Sequence, residues 1–318
     1  MLTIILFILG LVFLIKGADL LVDGASSVAR KFNISDLVIG LTIVAFGTSA
    51  PELFVNLFAS YNGNPEIAIG NIVGSNIANV LLILGLSAMV FPLRVTKGTV
   101  WKEIPLSLLA AVLVLIMAND RTVDGMDFNL LTRSDGLALL AFFVIFLYYT
   151  FGIAKVQGEE NLNHPKQYST LKAIGMIVLG LVGLVVGGQW IVDGAVAVAS
   201  MFGLSQALVG LTVVAVGTSL PELATSLVAA YKKSPDIAIG NVVGSNIFNI
   251  FFILGSSALI RPLAFRSELN FDLIVSVVAS LLLFAWMFIG KRHQLERWEG
   301  ATLLIVYVAY ISTIVMRG

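Results

Sequence analysis

Ten long apolar segments occupy most of this chain, and few folds can accommodate them. A helix needs about 20 apolar residues to cross the hydrocarbon core of a membrane, and each segment has roughly that length. Hydrophobic residues make up 58% of the 318 residues and charged residues 12%, whereas a soluble domain carries about 25% charged residues. We therefore predict an all-α polytopic membrane protein with ten transmembrane helices, at 2–28, 35–61, 66–91, 100–118, 134–155, 171–198, 205–231, 236–260, 270–290 and 298–316.

The second half of the chain repeats the first at a constant offset. GLTIVAFGTSAPEL at 40–53 returns as GLTVVAVGTSLPEL at 210–223, and IAIGNIVGSN at 67–76 returns as IAIGNVVGSN at 237–246, so the offset is 210 − 40 = 170 residues. Each half holds five of the ten segments. Because five is odd, the second half must enter the membrane from the side opposite to the first. We expect two inverted-topology repeats of five helices, an arrangement typical of secondary transporters with a site between the halves.

The lysines and arginines predict how the chain is oriented. Thirteen of them lie on the side opposite the N-terminus and five on the N-terminal side, and positive residues are enriched in cytoplasmic loops. We therefore expect a multi-pass protein of the cell membrane with both termini external. The repeats would occupy 1–155 and 171–318, with a cytoplasmic linker at 156–170.

Composition argues against several classes of site and partner. The chain has no cysteine and only two histidines, both in polar stretches, so we expect no thiolate or zinc site and no cofactor. Its net charge is zero, which argues against nucleic acid as a partner. We expect the lipid bilayer as its surroundings and no obligate protein partner.

The longer motif places a carboxylate in the middle of an apolar segment, where a charge costs about 3 kcal/mol. Pro51 and Gly47 should break the helix beside Glu52, and the freed carbonyls can then line a cavity or meet an ion. Thr48 lies four residues before Glu52 and therefore on the same helical face. The second repeat has the same arrangement, and the predicted ion-facing groups are the carbonyls of Ala45, Gly47, Ala215 and Gly217 and the side chains of Thr48, Glu52, Thr218 and Glu222.

The shorter motif adds amides and hydroxyls at helical spacing. Asn71, Ser75 and Asn79 form a stripe at intervals of four residues, which the second repeat echoes. This oxygen-only set suits hard cations such as calcium, which takes about six to eight oxygen ligands. Two carboxylates balance one divalent ion, and several monovalent ions could occupy the same oxygens instead. We favour ligation for Ser75, Asn79, Ser245 and Asn249, whereas ligation and helix contact both stay open for Asn71, Asn76, Asn241 and Asn246.

Other charged residues within the apolar segments suggest contacts between or within helices. Lys16 and Asp19 are three residues apart and are expected to pair. Asp23 and Asp193 lie near the ends of their segments, and we expect them to cap or anchor those helices.

The paired motifs resemble the alpha-repeats of the cation/calcium antiporter superfamily. GTSAPEL with GNIVGSNIAN in the first half, and GTSLPEL with GNVVGSNIFN in the second, are most similar to the prokaryotic type of the sodium/calcium exchanger branch. The resemblance covers nearly the whole chain. It implies ten helices, with the second, third, seventh and eighth around the ions and the first and sixth sliding across them.

The resemblance also implies roles for individual residues. Thr48, Glu52, Thr218 and Glu222 match the calcium ligands of the family, and its sodium ligands are matched by Ala45, Ser49, Ser75, Ala215, Ser219 and Ser245. Asn79 matches a polar residue at the membrane midplane. Its counterpart Asn249 departs from the pattern, because many members have aspartate there. The missing carboxylate weakens the case for potassium co-transport.

The function that the resemblance implies is sodium/calcium antiport by alternating access. Two carboxylates give the site a charge of −2, so three sodium ions would bring it to +1 and one calcium ion to 0. We therefore expect electrogenic calcium extrusion. The alternative is a proton/calcium antiporter in which Glu52 and Glu222 exchange protons. The proton-coupled branch usually has an acidic residue in the GN-containing helix, where this chain has serine and asparagine.

Two further classes of protein fit these residues less well. A cation channel could contain broken helices, but two buried carboxylates would bind calcium too tightly for fast conduction. A membrane enzyme would need a nucleophile with a buried base, or an aspartate-rich motif for a metal, and the sequence has neither pattern. We therefore expect no enzymatic activity.

Overall fold

The computed structural model of the protein describes residues 2–154, 168–201 and 215–317. Helices dominate all three ranges. Eight helices within them are long and apolar enough to cross a membrane, and a bent pair of helices makes a ninth candidate. The chain is therefore a mostly helical membrane protein, as its composition predicts.

The two halves contain a similar series of helices. The first half comprises α1 (Leu2–Lys31), α2 (Asp36–Ile39), α3 (Ala45–Thr48), α4 (Ala50–Asn62), α5 (Pro65–Ile77), α6 (Leu84–Val90), α7 (Lys97–Trp101), α8 (Glu103–Met117), α9 (Asp120–Val123) and α10 (Arg133–Ala154). The described part of the second half comprises α11 (Thr170–Met201), α12 (Ala215–Thr218), α13 (Leu220–Tyr231), α14 (Pro235–Ile247), α15 (Gly255–Ile260), α16 (Asn270–Trp286) and α17 (Arg297–Arg317). Wider π-helical turns link α2 to α3, α5 to α6 and α14 to α15, at Gly40–Val44, Ala78–Ile83 and Phe248–Leu254, and a 3-10 turn precedes α16 at Ser267–Leu269.

The second predicted span, 35–61, differs from a simple transmembrane helix. It consists of Asp36–Thr48 and Ala50–Asn62, which meet at a bend of 48°. The seventh predicted span, 205–231, is described only from Ala215 onward. The predicted linker at 156–170 lies outside the described residues except for its last three positions, and Thr170 already begins α11.

Two short antiparallel ribbons join the halves of the chain. β1 (Leu93–Arg94) pairs with β4 (Gln294–Leu295), and β2 (Leu130–Leu131) pairs with β3 (Leu263–Ala264). Each ribbon combines one strand from the first half with one from the second. Because the membrane-spanning helix α8 separates β1 from β2 in the chain, the two ribbons lie at opposite faces of the membrane. They hold the loops of the two repeats together at both ends of the bundle.

The two longest described helices, α1 and α11, pack along each other through glycines. A Cβ on Gly17 would lie 2.8 Å from the carbonyl oxygen of Gly180, and a Cβ on Gly180 would lie 2.8 Å from the carbonyl oxygen of Gly17. Gly10 and Gly187 make the same kind of reciprocal contact. Small residues allow membrane helices to approach this closely. The two helices therefore form one closely packed pair.

An ion-pair cluster ties α1 to the end of α13. Lys232 Nζ lies 2.6 Å from Asp19 Oδ1 and 2.6 Å from Asp23 Oδ1. The expected pairing of Asp19 with Lys16 is therefore replaced, within the described ranges, by a contact between two halves of the chain. The positions equivalent by the offset of 170 hold Asn62, Gln189 and Asp193, so only one of the three charges of this cluster has a counterpart in the other repeat.

Substitution of Lys232 by methionine should weaken the attachment of α1 to α13. The change leaves Asp19 and Asp23 one helical turn apart without their cation, and partly exposed ion pairs contribute up to about 1 kcal/mol. We expect the free energy of unfolding to fall by about this amount, measured by thermal unfolding of the purified protein in detergent. Gln189→Met, at the equivalent of Asp19, is the control. An equal destabilisation by both variants would contradict a specific role for the ion pairs.

Candidate ion-binding site

Each motif helix is interrupted at the serine that precedes the motif proline. Ser49 has φ −81° and ψ 9°, and Ser219 has φ −86° and ψ 6°. The helices α4 and α13 begin one residue later, with Pro51 and Pro221 in their first turns. Proline suits this place because the first N–H groups of a helix have no partner within the helix. The predicted helix break is thus present in both repeats, centred on the serines.

The helix α11 lies against both breaks. A Cβ on Gly47 would overlap with the side chain of Leu181, and a Cβ on Gly217 would overlap with Val192. Both of these side chains belong to α11. The two motif glycines therefore have a packing role in addition to the predicted loosening of the helix, because they let α11 cover the interrupted segments.

The motif glutamates lie in the first turns of α4 and α13 and are completely buried. Their exposed fractions are 0% for Glu52 and 1% for Glu222. Ser49 Oγ donates to Glu222 Oε1 at 2.9 Å, and Ser219 Oγ donates to Glu52 Oε1 at 3.4 Å. The partial positive charge of a helix N-terminus favours a carboxylate in each place. Each interrupted helix thus supplies a hydroxyl to the carboxylate of the other half.

The helices α5 and α14 supply a second hydroxyl to each carboxylate. Ser75 Oγ donates to Glu52 Oε1 at 3.3 Å, and Ser245 Oγ donates to Glu222 Oε1 at 3.5 Å. The other carboxylate oxygen, Oε2, of both glutamates is buried and has no hydrogen-bond partner in the described part of the chain. Each carboxylate therefore has one oxygen engaged by two serines and one oxygen free to bind a ligand.

Two amide oxygens resemble the free carboxylate oxygens of the glutamates. Oδ1 of Asn79 and Oδ1 of Asn249 are buried without a hydrogen-bond partner among the described residues, and they lie one turn beyond Ser75 and Ser245. A buried acceptor left unpaired costs about 1–3 kcal/mol, so four such oxygens in equivalent places need an explanation. A bound cation would explain them, because it attracts each of these four oxygens. Oxygen-only donors fit calcium or sodium.

The motif threonines contact asparagines across the interface between halves. Thr48 Oγ1 donates to Asn241 Oδ1 at 3.0 Å, and Thr218 Oγ1 donates to Asn71 Oδ1 at 3.4 Å. For Asn71 and Asn241 the structure thus provides the helix contact that the sequence left open. Ala45 begins α3, and its carbonyl oxygen lies 3.3 Å from the Thr48 hydroxyl. Its counterpart Ala215 begins α12.

Two buried residues that the motifs did not single out complete the polar cluster. Asn71 Nδ2 donates to Asn56 Oδ1 at 2.7 Å, and Asn241 Nδ2 donates to Ser226 Oγ at 2.9 Å. Asn56 and Ser226 are both fully buried. Each lies four residues after a motif glutamate and keeps the offset of 170. Helical spacing counted from the glutamates could therefore have found them.

Comparison with known proteins agrees with this architecture. A family model described as sodium/calcium exchanger protein matches residues 2–152 and 172–316. Sodium/calcium exchanger MaX1 of Methanosarcina acetivorans is 34% identical and is matched over 96% of this chain and 97% of that protein. Inner membrane protein YrbG of Escherichia coli is 39% identical, over 96% and 95% of the two chains. A solved structure of the sodium-calcium exchanger NCX_Mj has a TM-score of 0.83 and 37% identity, with 98% of each chain covered. The chain therefore belongs to the sodium/calcium exchanger family of the cation/calcium antiporter superfamily, whose members are membrane transporters.

Proposed function

We propose that this protein exchanges sodium ions for calcium across the cell membrane by alternating access, and that it extrudes calcium electrogenically. The observation that carries the proposal is a set of four buried oxygens without hydrogen-bond partners in the described ranges, on Glu52, Asn79, Glu222 and Asn249. Two come from each repeat, so the halves build one site together. Family membership supports cation antiport, and the name of the relative MaX1 supports sodium as the counter-ion.

The proposed ligands divide according to the charge of the ion. Calcium would bind at the two carboxylates, with Thr48 and Thr218 beside them. Sodium ions would share those carboxylates and use the surrounding hydroxyls, amides and main-chain carbonyls. The further sodium ligands that we propose are Ala45, Ser49, Ser75, Ala215, Ser219 and Ser245. The amide oxygens of Asn79 and Asn249 would face either kind of cation. Because the two sets overlap, one kind of ion must leave before the other can bind.

The charge of the site accounts for an electrogenic cycle. With both glutamates ionised the site carries −2, so one calcium ion brings it to 0 and three sodium ions to +1. Each full cycle would then move one net positive charge in the direction of sodium. In a cell with an inward sodium gradient, sodium entry would drive calcium out.

The proposed architecture is ten helices in two inverted repeats, 1–155 and 171–318, with both termini external and the linker cytoplasmic. The glycine-packed pair of α1 and α11 lies across the interrupted helices. We take this pair as the element that slides past the site and exposes it to one side of the membrane at a time. No partner subunit is required by such a cycle.

Flux into vesicles tests the coupling ion. Purified protein in sodium-loaded vesicles is diluted into potassium or choline medium with labelled calcium, with and without a protonophore. We expect uptake that needs internal sodium and persists with the protonophore. Valinomycin with external potassium should speed uptake severalfold, because potassium entry compensates the positive charge that leaves.

Two results of this assay would contradict the proposal. Uptake that depends on a pH gradient and is lost with the protonophore would instead assign proton/calcium antiport, with Glu52 and Glu222 as the proton-exchanging groups. Sodium-dependent uptake unaffected by valinomycin would rule out the charge balance of three sodium ions to one calcium ion.

A further inference from the structure

Four buried asparagines form a hydrogen-bonded network between the two halves, next to the motif glutamates. Asn76 and Asn246 lie near the ends of α5 and α14, and Asn79 and Asn249 lie in the π-helical segments that follow. Each is at most 2% exposed. Every hydrogen bond in this network joins one repeat to the other.

The hydrogen bonds of the network determine which way the Asn249 amide faces. The main-chain carbonyl of Asn246 can only accept, so Asn76 must direct Nδ2 toward it, at 3.2 Å. The Oδ1 atom of Asn76 then accepts from Asn249 Nδ2 at 2.9 Å. A carboxamide has donors at one end and an acceptor at the other. Asn249 must therefore direct Oδ1 away from Asn76, and this atom is one of the four oxygens of the candidate site that lack a hydrogen-bond partner among the described residues.

We propose that Asn76 is a positioning residue that fixes the Asn249 amide so that its oxygen, and not its N–H₂ group, faces the transported cation. Asn246 is the corresponding partner of Asn79, whose Nδ2 donates to Asn246 Oδ1 at 3.0 Å. The inference rests on the proposed function, because it assumes a cation beside Asn249. The same positioning explains how a neutral residue can serve at position 249, because an amide binds a cation only when its oxygen is held toward the ion.

A carboxylate at position 249 would need no such orientation. Both of its ends are oxygens, so either one can face a cation. Its other oxygen would, however, point at Oδ1 of Asn76 and repel it. Asn76 and Asn249 should consequently be coupled: loss of Asn76 is harmful beside asparagine and harmless beside aspartate.

A double-mutant cycle tests this coupling. The variants are Asn76→Ala, Asn249→Asp and the combination of both, and the measurement is equilibrium binding of labelled calcium to purified protein in detergent. Asn76→Ala alone should weaken calcium binding about tenfold, because the freed amide can turn its N–H groups toward the ion. In the Asn249→Asp background the same substitution should change binding less than about twofold. Asn119→Ala is the control, because Asn119 exchanges amide hydrogen bonds with Asn270 at 2.7 and 2.8 Å, away from the motifs.

The results separate positioning from general packing. Equal weakening by Asn76→Ala in both backgrounds, or none in either, would overturn the inference, as would an equal loss in Asn119→Ala. Equilibrium calcium binding is measured without an ion gradient and does not depend on the coupling ion. Proton-driven uptake in the vesicle assay would therefore overturn the proposed function and leave this inference standing. A wild-type protein that binds no calcium would overturn both.

Discussion

Replacement of both Glu52 and Glu222 by glutamine is expected to abolish calcium uptake by the reconstituted protein. Glutamine keeps the size of the side chain and an oxygen that can accept from the serines, but it removes both negative charges. Loss of one partner from a buried ionic contact costs about 3–5 kcal/mol, and about 1.4 kcal/mol corresponds to a factor of ten. Calcium affinity should therefore fall by more than about 100-fold. Equilibrium binding and vesicle uptake of labelled calcium both measure the loss.

Glu103 provides a matched control, because it is a buried carboxylate outside the site. It is 1% exposed, and Tyr149 Oη donates to its Oε1 at 2.9 Å. Glutamine at position 103 can still accept this hydrogen bond, so the Glu103→Gln variant should take up calcium at nearly the wild-type rate. A comparable loss of uptake in this variant and in the double variant would remove the reason for assigning the ion to the motif glutamates.

A methyl group at Gly17 is expected to impair both folding stability and transport. In the Gly17→Ala variant the new Cβ would lie 2.8 Å from the Gly180 carbonyl oxygen and 2.8 Å from the Leu184 nitrogen. These are backbone atoms, which cannot rotate away, so α1 and α11 must separate. Overpacking of this kind costs about 1–3 kcal/mol, which thermal unfolding in detergent can measure. Because the helix pair covers the interrupted segments, we also expect uptake to fall by about tenfold.

Gly175 distinguishes the effect of contact from the effect of helix propensity. It lies in α11, and a Cβ there would meet no atom within 4 Å. Alanine favours a helix over glycine at either position. Gly175→Ala should therefore leave stability and uptake unchanged or slightly raised. Close packing of α1 on α11 would be unimportant if Gly17→Ala behaved in the same way.

The predicted spans within the described residues are helical in the structure. They could be predicted because apolar length and helical period are both properties of short segments. Pro51 and Pro221 predicted the breaks for the same local reason. The exact place of each break was not predictable. Ser49 and Ser219 leave the helical conformation, and their hydroxyls reach the carboxylates of the opposite half.

Contacts between residues 170 to 213 positions apart could not be read from the chain. Spacing along the sequence detects only neighbours within one helix, and it therefore predicted that Lys16 would pair with Asp19. The structure pairs Asp19 with Lys232 instead. In the same way, Asn76 could equally have been a ligand or a helix contact until its hydrogen bonds to Asn246 and Asn249 were visible.

By itself the sequence determined the class of the protein, its internal duplication and the residue types of the candidate site. Each of these follows from local pattern: apolar length, a constant offset, and carboxylates that are costly to place within a membrane. Tertiary structure alone decided how the two copies combine. Serines of one half donate to the glutamate of the other, and pairs of asparagines form hydrogen bonds across the interface. The physical reason is that hydrogen-bond geometry depends on the distance and orientation of atoms brought together only by packing of the repeats.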